Sequence, residues 1–373
     1  MKKSVAVFVF LLLILPFVCA LPSSAADDAL GSYAASVEEE MNAALDSQTR
    51  ALLDELGLDS LTSVSGVEVS WQKLLSFFGR DAQSAVHEVL RPFFVSLVLV
   101  LVLAFVCALV GSARYEALET AALCIVILQN VTVLQGLLSG GATLLHTSAA
   151  FVKGFLPVYA GLVAFSGAPA SALGMQSLVF ALCEGLSALA ETLCVHVTGA
   201  FLGLCIACAL SGHVRMPKLL GGANRAMNWV LGMLCAVFTG VLGTKSVLSA
   251  AADTAAGKSV RFLLSSSIPI VGAAMSDAYS SIVASIHLIR GSAAVVGVVA
   301  LLALHVPVLL RGLAMSFSFK VLCAASDALG LAKTSGVFQG FALALKFVLL
   351  LSVLELFLLL IAIGLLLQVK GGG

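Results

Sequence analysis

Residues 92–112 read PFFVSLVLVLVLAFVCALVGS, an apolar run with no charged side chain. A helix needs about 20 such residues to cross the hydrocarbon of a bilayer. This stretch has that length and follows directly on a charged region. It sets the reading of the whole chain as an all-helical, polytopic membrane protein. Further runs of the same kind occur at 117–138, 148–166, 173–195, 196–212, 229–249, 292–310 and 341–368. The stretch 173–212 is too long for one crossing at about 1.5 Å per residue, so a tight reversal near His196 is expected. The last run is long enough to tilt or to extend into the interface. Residues 91–373 are thus expected to form a membrane domain of seven to nine crossings.

The composition agrees. Of 373 residues, 60% are hydrophobic and 11% charged, against roughly 45–50% and about 25% in soluble domains. The mean hydropathy is +1.10, and such a chain cannot cover its apolar surface with polar groups in water. Its 33 glycines suit helices that must approach closely in lipid, where the hydrophobic effect does not drive association. The nine cysteines fall mainly in apolar runs and none lies in 27–90, which argues against a disulfide framework. Cys205-Ile-Ala-Cys208 has the spacing of a redox or metal motif but sits within a hydrophobic segment, with no βαβ context.

The net charge of zero conceals an asymmetry. Residues 27–90 hold twelve acidic and three basic side chains, and 91–373 hold eight acidic and fifteen basic. Ahead of both, residues 1–26 have the parts of a secretory signal: Lys2 and Lys3, an apolar stretch from Val5 to Val18, and a small-residue site at Ser24-Ala25-Ala26. The alternative is an uncleaved first helix. The acidic segment 27–90 shows helical spacing from Val37 through Leu56 and again from Trp71 to Val89. It is either an interfacial amphipathic helix or a solvated helical hairpin.

Export places the acidic segment outside. Counting crossings from there puts 213–228 inside. That loop carries Arg215, Lys218 and Arg225 without an acid, the clearest positive-inside signal in the chain. Beyond 249 the reading divides. The semi-polar stretch 262–290, with Pro269, Gly272 and Asp277, is either a Pro-broken span or a re-entrant or interfacial segment. Arg311, Lys320 and Lys333 lie outside in the first case and inside in the second.

Motifs of chemistry are scarce. Gly257-Lys258-Ser259 ends like a phosphate loop, but Ala252 stands where the earlier glycine belongs and no strand precedes it. His87-Glu88 lacks a second zinc histidine, and no Ser–His–acid context is visible. No enzyme activity, cofactor, metal site or nucleic-acid partner is expected; lipid is. The informative polar residues are those inside apolar runs: Lys153, Glu184, Glu191, Lys245, Lys346 and Glu355. Such residues face a bundle interior or water. Glu184 and Glu191 share one helix face two turns apart. Lys153 on a neighbouring helix is expected to pair with one of them, either lining a polar path or forming a structural ion pair. Gly136/Gly140, Gly199/Gly203 and Gly336/Gly340 have the spacing that permits close crossings.

One stretch carries a more specific pattern. It runs from Asp253 through Gly257-Lys258-Ser259-Val260-Arg261-Phe262 and Ile268-Pro269-Ile270-Val271-Gly272 to Ser276-Asp277-Ala278. It continues to Leu288-Ile289-Arg290-Gly291 and Val296-Gly297. With the order of export signal, acidic helical segment and Gly/Ala-rich polytopic region, it resembles the stage III sporulation protein AE family of endospore-forming bacteria. Ser267 before Ile268, and Arg290-Gly291 in place of a lysine-asparagine pair, are departures.

The resemblance implies a multi-pass subunit in the mother-cell-derived outer forespore membrane. That subunit belongs to a secretion-like channel complex linking mother cell and forespore and needed for forespore development. It implies partners from the same operon: ring-forming single-pass proteins and a cytoplasmic ATPase. On that reading 27–90 meets the ring proteins, and Arg215, Lys218 and Arg225 offer the ATPase a docking loop. A stand-alone secondary transporter or a pore-less scaffold are the competing readings. Pro157 and Pro269 are the only candidates for the matched broken helices of a transporter repeat.

Overall fold

The computed structural model describes residues 71–109, 112–165, 168–211, 216–267 and 272–368. The expected signal at 1–26 and the first part of the acidic segment, 27–70, lie outside the described residues. Within them every regular element is helical: α1 (Trp71–Leu109), α2 (Ser112–Phe165), α3 (Pro169–Glu191), a π-helical segment (Thr192–Val197), α4 (Thr198–Ser211), α5 (Met216–Ser267), α6 (Gly272–Ala328) and α7 (Ala332–Gln368). Among the described residues six helical stretches are long and apolar enough to cross a membrane, and the protein is a multi-pass membrane protein.

The expected crossings divide two of these stretches where the backbone runs on. Runs 117–138 and 148–166 belong to one helix, and 173–212 continues through the π-helical segment without reversing at His196. The reason is local. Residues 186–198, LSALAETLCVHVT, contain no Gly, Pro, Asn or Asp, the residues that best supply a tight turn. A reversal there would strip the backbone of its partners in lipid. Residue 92 shows the opposite case: Pro92 lies inside α1, which crosses the expected boundary at 90/91 unbroken. The expected loop 213–228 is helical from Met216 onward. Helix flanks Pro269 on both sides, with 268–271 outside the described residues.

α6 and α7 form the centre. Of their most apolar windows 72% and 61% is buried, against 6% for Pro217–Thr244 of α5. The two helices run antiparallel about a tight corner. Gly330 takes φ +77°. Its N–H donates to Asp327 O at 3.1 Å, and Leu331 N–H donates to Ser326 O at 2.9 Å. This is the paired bonding of a Schellman cap, where only glycine adopts the left-handed position without strain. Leu331 is buried beneath it. Above the corner Phe319 packs on Phe338 and Phe341, with ring centroids at 6.2 and 5.5 Å.

α2 lies along both central helices. Its Phe151, Phe155 and Tyr159 form a buried stack, and Phe155 presses on Gly297 of α6, where an added Cβ would stand 2.8 Å from the ring. Gly141 of α2 meets Val348 of α7, and Gly312 of α6 meets Leu349. Close crossings therefore fall at Gly141, Gly297, Gly312 and Gly340, while Gly136, Gly140, Gly199 and Gly203 have open space at the Cβ position. Spacing alone pointed to one of those four.

Two polar ties fix the outer helices. Buried Glu119 of α2 accepts the backbone N–H of Lys333 at 3.2 Å, giving the first turn of α7 a partner for a donor that has none within the helix. On α1, buried Ser96 exchanges hydrogen bonds with Asn130 of α2 (3.0 and 3.2 Å) and accepts one from Gln129 (3.2 Å).

Candidate functional site

Lys153 of α2 donates to Glu184 of α3. The two side chains stand on the wall of an open groove of about 530 Å³ lined by His146, Ala150, Lys153, Glu184, Ser187, Ala188, Thr192 and His196. His146, Ala150 and Lys153 recur at helical spacing on α2. On the opposite wall Glu184, Ser187 and Ala188 do the same on α3.

His196 reaches this groove because of the π-helical segment. In a regular helix, twelve residues make about three and a third turns, so His196 would stand a third of a turn away from Glu184. A π-turn accommodates one extra residue and returns it to nearly the same face. Thr198 Oγ1 donates to Leu193 O at 2.7 Å, five residues back, and thereby supplies a partner to a carbonyl where the ladder is widened. The segment that replaces the expected reversal thus aims a polar face into the groove.

Glu191 closes α3 at the edge of this segment, and its side chain lies outside the described ones. Gly272 opens α6 and Asp277 follows in its early turns. Pro269 and Arg215 are outside the described residues. Lys218 and Arg225 are exposed on the first turns of α5. The sequence groups Lys153 with Glu184 and Glu191, and the structure joins Lys153 to Glu184.

Behind the groove lies a second polar cluster, which reading along the sequence did not assemble. Glu355 of α7 and His305 of α6 are 1% and 0% exposed, and Ser148 of α2 is 0% exposed. Ser148 Oγ donates to Glu355 Oε1 at 2.6 Å, within the range of an O–H···O hydrogen bond. His305 Nδ1 lies 2.8 Å from the carbonyl of Leu301. A carbonyl only accepts, so Nδ1 carries a proton. The other ring nitrogen, Nε2, then faces Glu355 Oε2 at 3.5 Å. The serine touches the carboxylate rather than the imidazole, so the three do not form a nucleophilic relay of the Ser–His–acid kind. Glu355 was visible in the sequence as an acid in an apolar run. His305 carries the same signal in LLALHVPVLL, an ionisable ring amid aliphatic residues. Ser148 carries none, since serine is common in such helices.

The polar groove and the buried cluster both sit in helices of membrane-spanning length, where ionisable groups are costly and mark function or assembly. A match to the family described as stage III sporulation protein AE spans residues 61–369. Among curated proteins the chain is similar to the stage III sporulation protein AE of Bacillus subtilis (strain 168), at 23% identity over 189 residues. That alignment covers 50% of this chain and 47% of the relative, so it spans about half the relative's length. No solved structure matches. The breadth of the family match decides the assignment: the chain belongs to the stage III sporulation protein AE family.

Proposed function

We propose that this protein is the multi-pass membrane subunit of a secretion-like channel complex that links mother cell and forespore during sporulation and sustains forespore development. The observation that carries the reading is the family match over 61–369. The helical membrane architecture is compatible with it. The groove supplies a polar surface, with Lys153, Glu184 and His196 at hand, where a path or a partner's polar segment would meet the bundle. The proposed address is the mother-cell-derived outer forespore membrane.

In this reading the acidic region faces the intermembrane space and meets ring-forming single-pass proteins of the same operon. The basic stretch that holds Arg215, Lys218 and Arg225 faces the mother-cell cytoplasm and docks the ATPase. Structure bears on the form of that docking surface. Lys218 and Arg225 are exposed on a helix, which supports a helical face as part of that surface.

The test replaces the chromosomal copy by a variant with Glu184→Gln and Glu191→Gln. It then reads heat-resistant spore counts and a forespore-specific reporter, with membrane levels of the variant checked by immunoblot. A drop in both readouts at normal protein level is expected. Unchanged sporulation removes the polar path. Site-specific crosslinkers at Lys218 and Arg225 should capture the ATPase, and absence of that product in sporulating cells removes the docking assignment. Substrate flux through the purified protein alone in liposomes would favour the stand-alone transporter instead.

A further inference from the structure

We propose that Glu355, His305 and Ser148 form a buried proton-binding site that exchanges one proton with water in the groove by way of His146. The proposal does not depend on the identity of any transported substrate.

The geometry leaves one proton undecided between two bases. Nδ1 of His305 is held as a donor by Leu301 O, and Glu355 Oε1 is occupied by the Ser148 hydroxyl. The atoms left over, Nε2 and Oε2, are both buried, both without a hydrogen bond, and face each other at 3.5 Å. Two buried polar atoms without a bond are costly. A small approach with one proton between them satisfies both. With that proton the pair is uncharged, a carboxylic acid beside an imidazole, the form an apolar core favours over carboxylate and imidazolium. Without it the pair holds a net charge of −1 in an apolar core, which is strongly disfavoured unless water or a cation reaches it.

The proposed route outward follows α2, where His146 lies two residues before Ser148 and lines the groove. The other titratable groups bearing on the site are the thiols of Cys183 on α3 and Cys194 on the π-helical segment; the Lys153–Glu184 pair acts on Cys183. In this proposal release transfers the proton from the Glu355–His305 pair to the imidazole of His146 and from there to groove water, which leaves as hydronium. Uptake is the reverse. No electron moves and no other co-reactant is needed. Since α2, α6 and α7 each contribute one member, the proton count of the site is tied to how these three helices pack.

The experiment is infrared difference spectroscopy on the full-length protein in lipid nanodiscs, titrated over pH, with carbon-13-labelled glutamate. One protonated-carboxyl band should titrate together with an imidazole signal. It should vanish in Glu355→Gln and move to higher frequency in Ser148→Ala, which removes the hydrogen bond to the carboxyl. In His146→Ala the band should persist but exchange with heavy water more slowly. If Glu355→Gln does not fold, the Ser148→Ala shift carries the assignment. The absence of any titrating glutamic-acid band that responds to either substitution overturns the site. An exchange rate unchanged in His146→Ala overturns the route through the groove.

Discussion

Two polar contacts leave α2 in opposite directions within five residues. Ser148 turns inward to Glu355 and His305, which water does not reach. Lys153 turns outward to Glu184, in a pair whose side chains are 31% and 70% exposed. Both contacts end on a glutamate of another helix, reached by a serine hydroxyl in one case and a lysine cation in the other. Their surroundings differ as well, and the medium sets much of what each contact is worth. A buried ionic contact adds little net stability when complete, but it is severe to break, because the remaining group is stranded. An exposed pair contributes little either way and its loss is absorbed by the surroundings.

The largest expected effect follows from removing Glu355. Glu355→Ala leaves His305 and Ser148 facing a void and should destabilise the purified protein by about 3–5 kcal/mol, read as a lowered unfolding midpoint in detergent. Ser148→Ala removes one hydrogen bond to a carboxyl and should cost about 1.5–3 kcal/mol. Glu355→Gln keeps an acceptor for the serine and should fall below Glu355→Ala in cost. If Ala and Gln at 355 prove equally mild, the inner cluster is no different from the outer pair and the contrast collapses.

A second contrast concerns glycines. Gly297→Ala would push a methyl against the Phe155 ring, whose nearest atom lies 2.8 Å from the new carbon. Overpacking of this kind costs about 1–3 kcal/mol. Gly232 of α5 has open space instead, on a helix that exposes Trp229, Met233 and Val237. Gly232→Ala should leave the unfolding midpoint of the isolated protein unchanged. Should it reduce spore formation all the same, α5 meets another protein there, and the two glycines differ by partner rather than by burial.

How much of this could be read from the sequence divides along the same line. The all-helical membrane class was legible in 92–112 and in every run after it, because lipid admits few other backbones. The Lys153–Glu184 pair was legible because both residues are charged and expensive in apolar runs. The Glu355–Ser148 contact was not: its partners lie 207 positions apart, and no local periodicity encodes which helix packs on which. The continuity of 173–212 was misjudged for a related reason. Length argues for a reversal, whereas the absence of Gly, Pro, Asn and Asp at 186–198 argues for a backbone that stays helical, as it does through the π-helical segment. Of the glycines spaced for close packing, Gly340 makes a close crossing while Gly136, Gly140, Gly199 and Gly203 do not, since a four-residue spacing says what is permitted and not which neighbour arrives.

The smallest stability effect belongs to the outer pair and is the more informative for it. Lys153→Met and Glu184→Gln should each change the unfolding free energy by less than about 1 kcal/mol, so the isolated protein should unfold nearly as the parent does. Their effect on spore formation is then free of any folding defect. Glu184→Gln leaves Lys153 as an unbalanced cation in the groove, and Lys153→Met leaves Glu184 as an unbalanced anion. If the groove merely holds α2 against α3, the double substitution should behave like either single one, near the parent. If a polar path or a partner's polar segment uses the groove, the sign of the remaining charge matters. The two single variants should then differ in spore count, and the double variant should lie apart from both. Equal spore counts across all three, with protein levels matched, would reduce the outer pair to a structural contact and leave the inner cluster as the only functional candidate on α2.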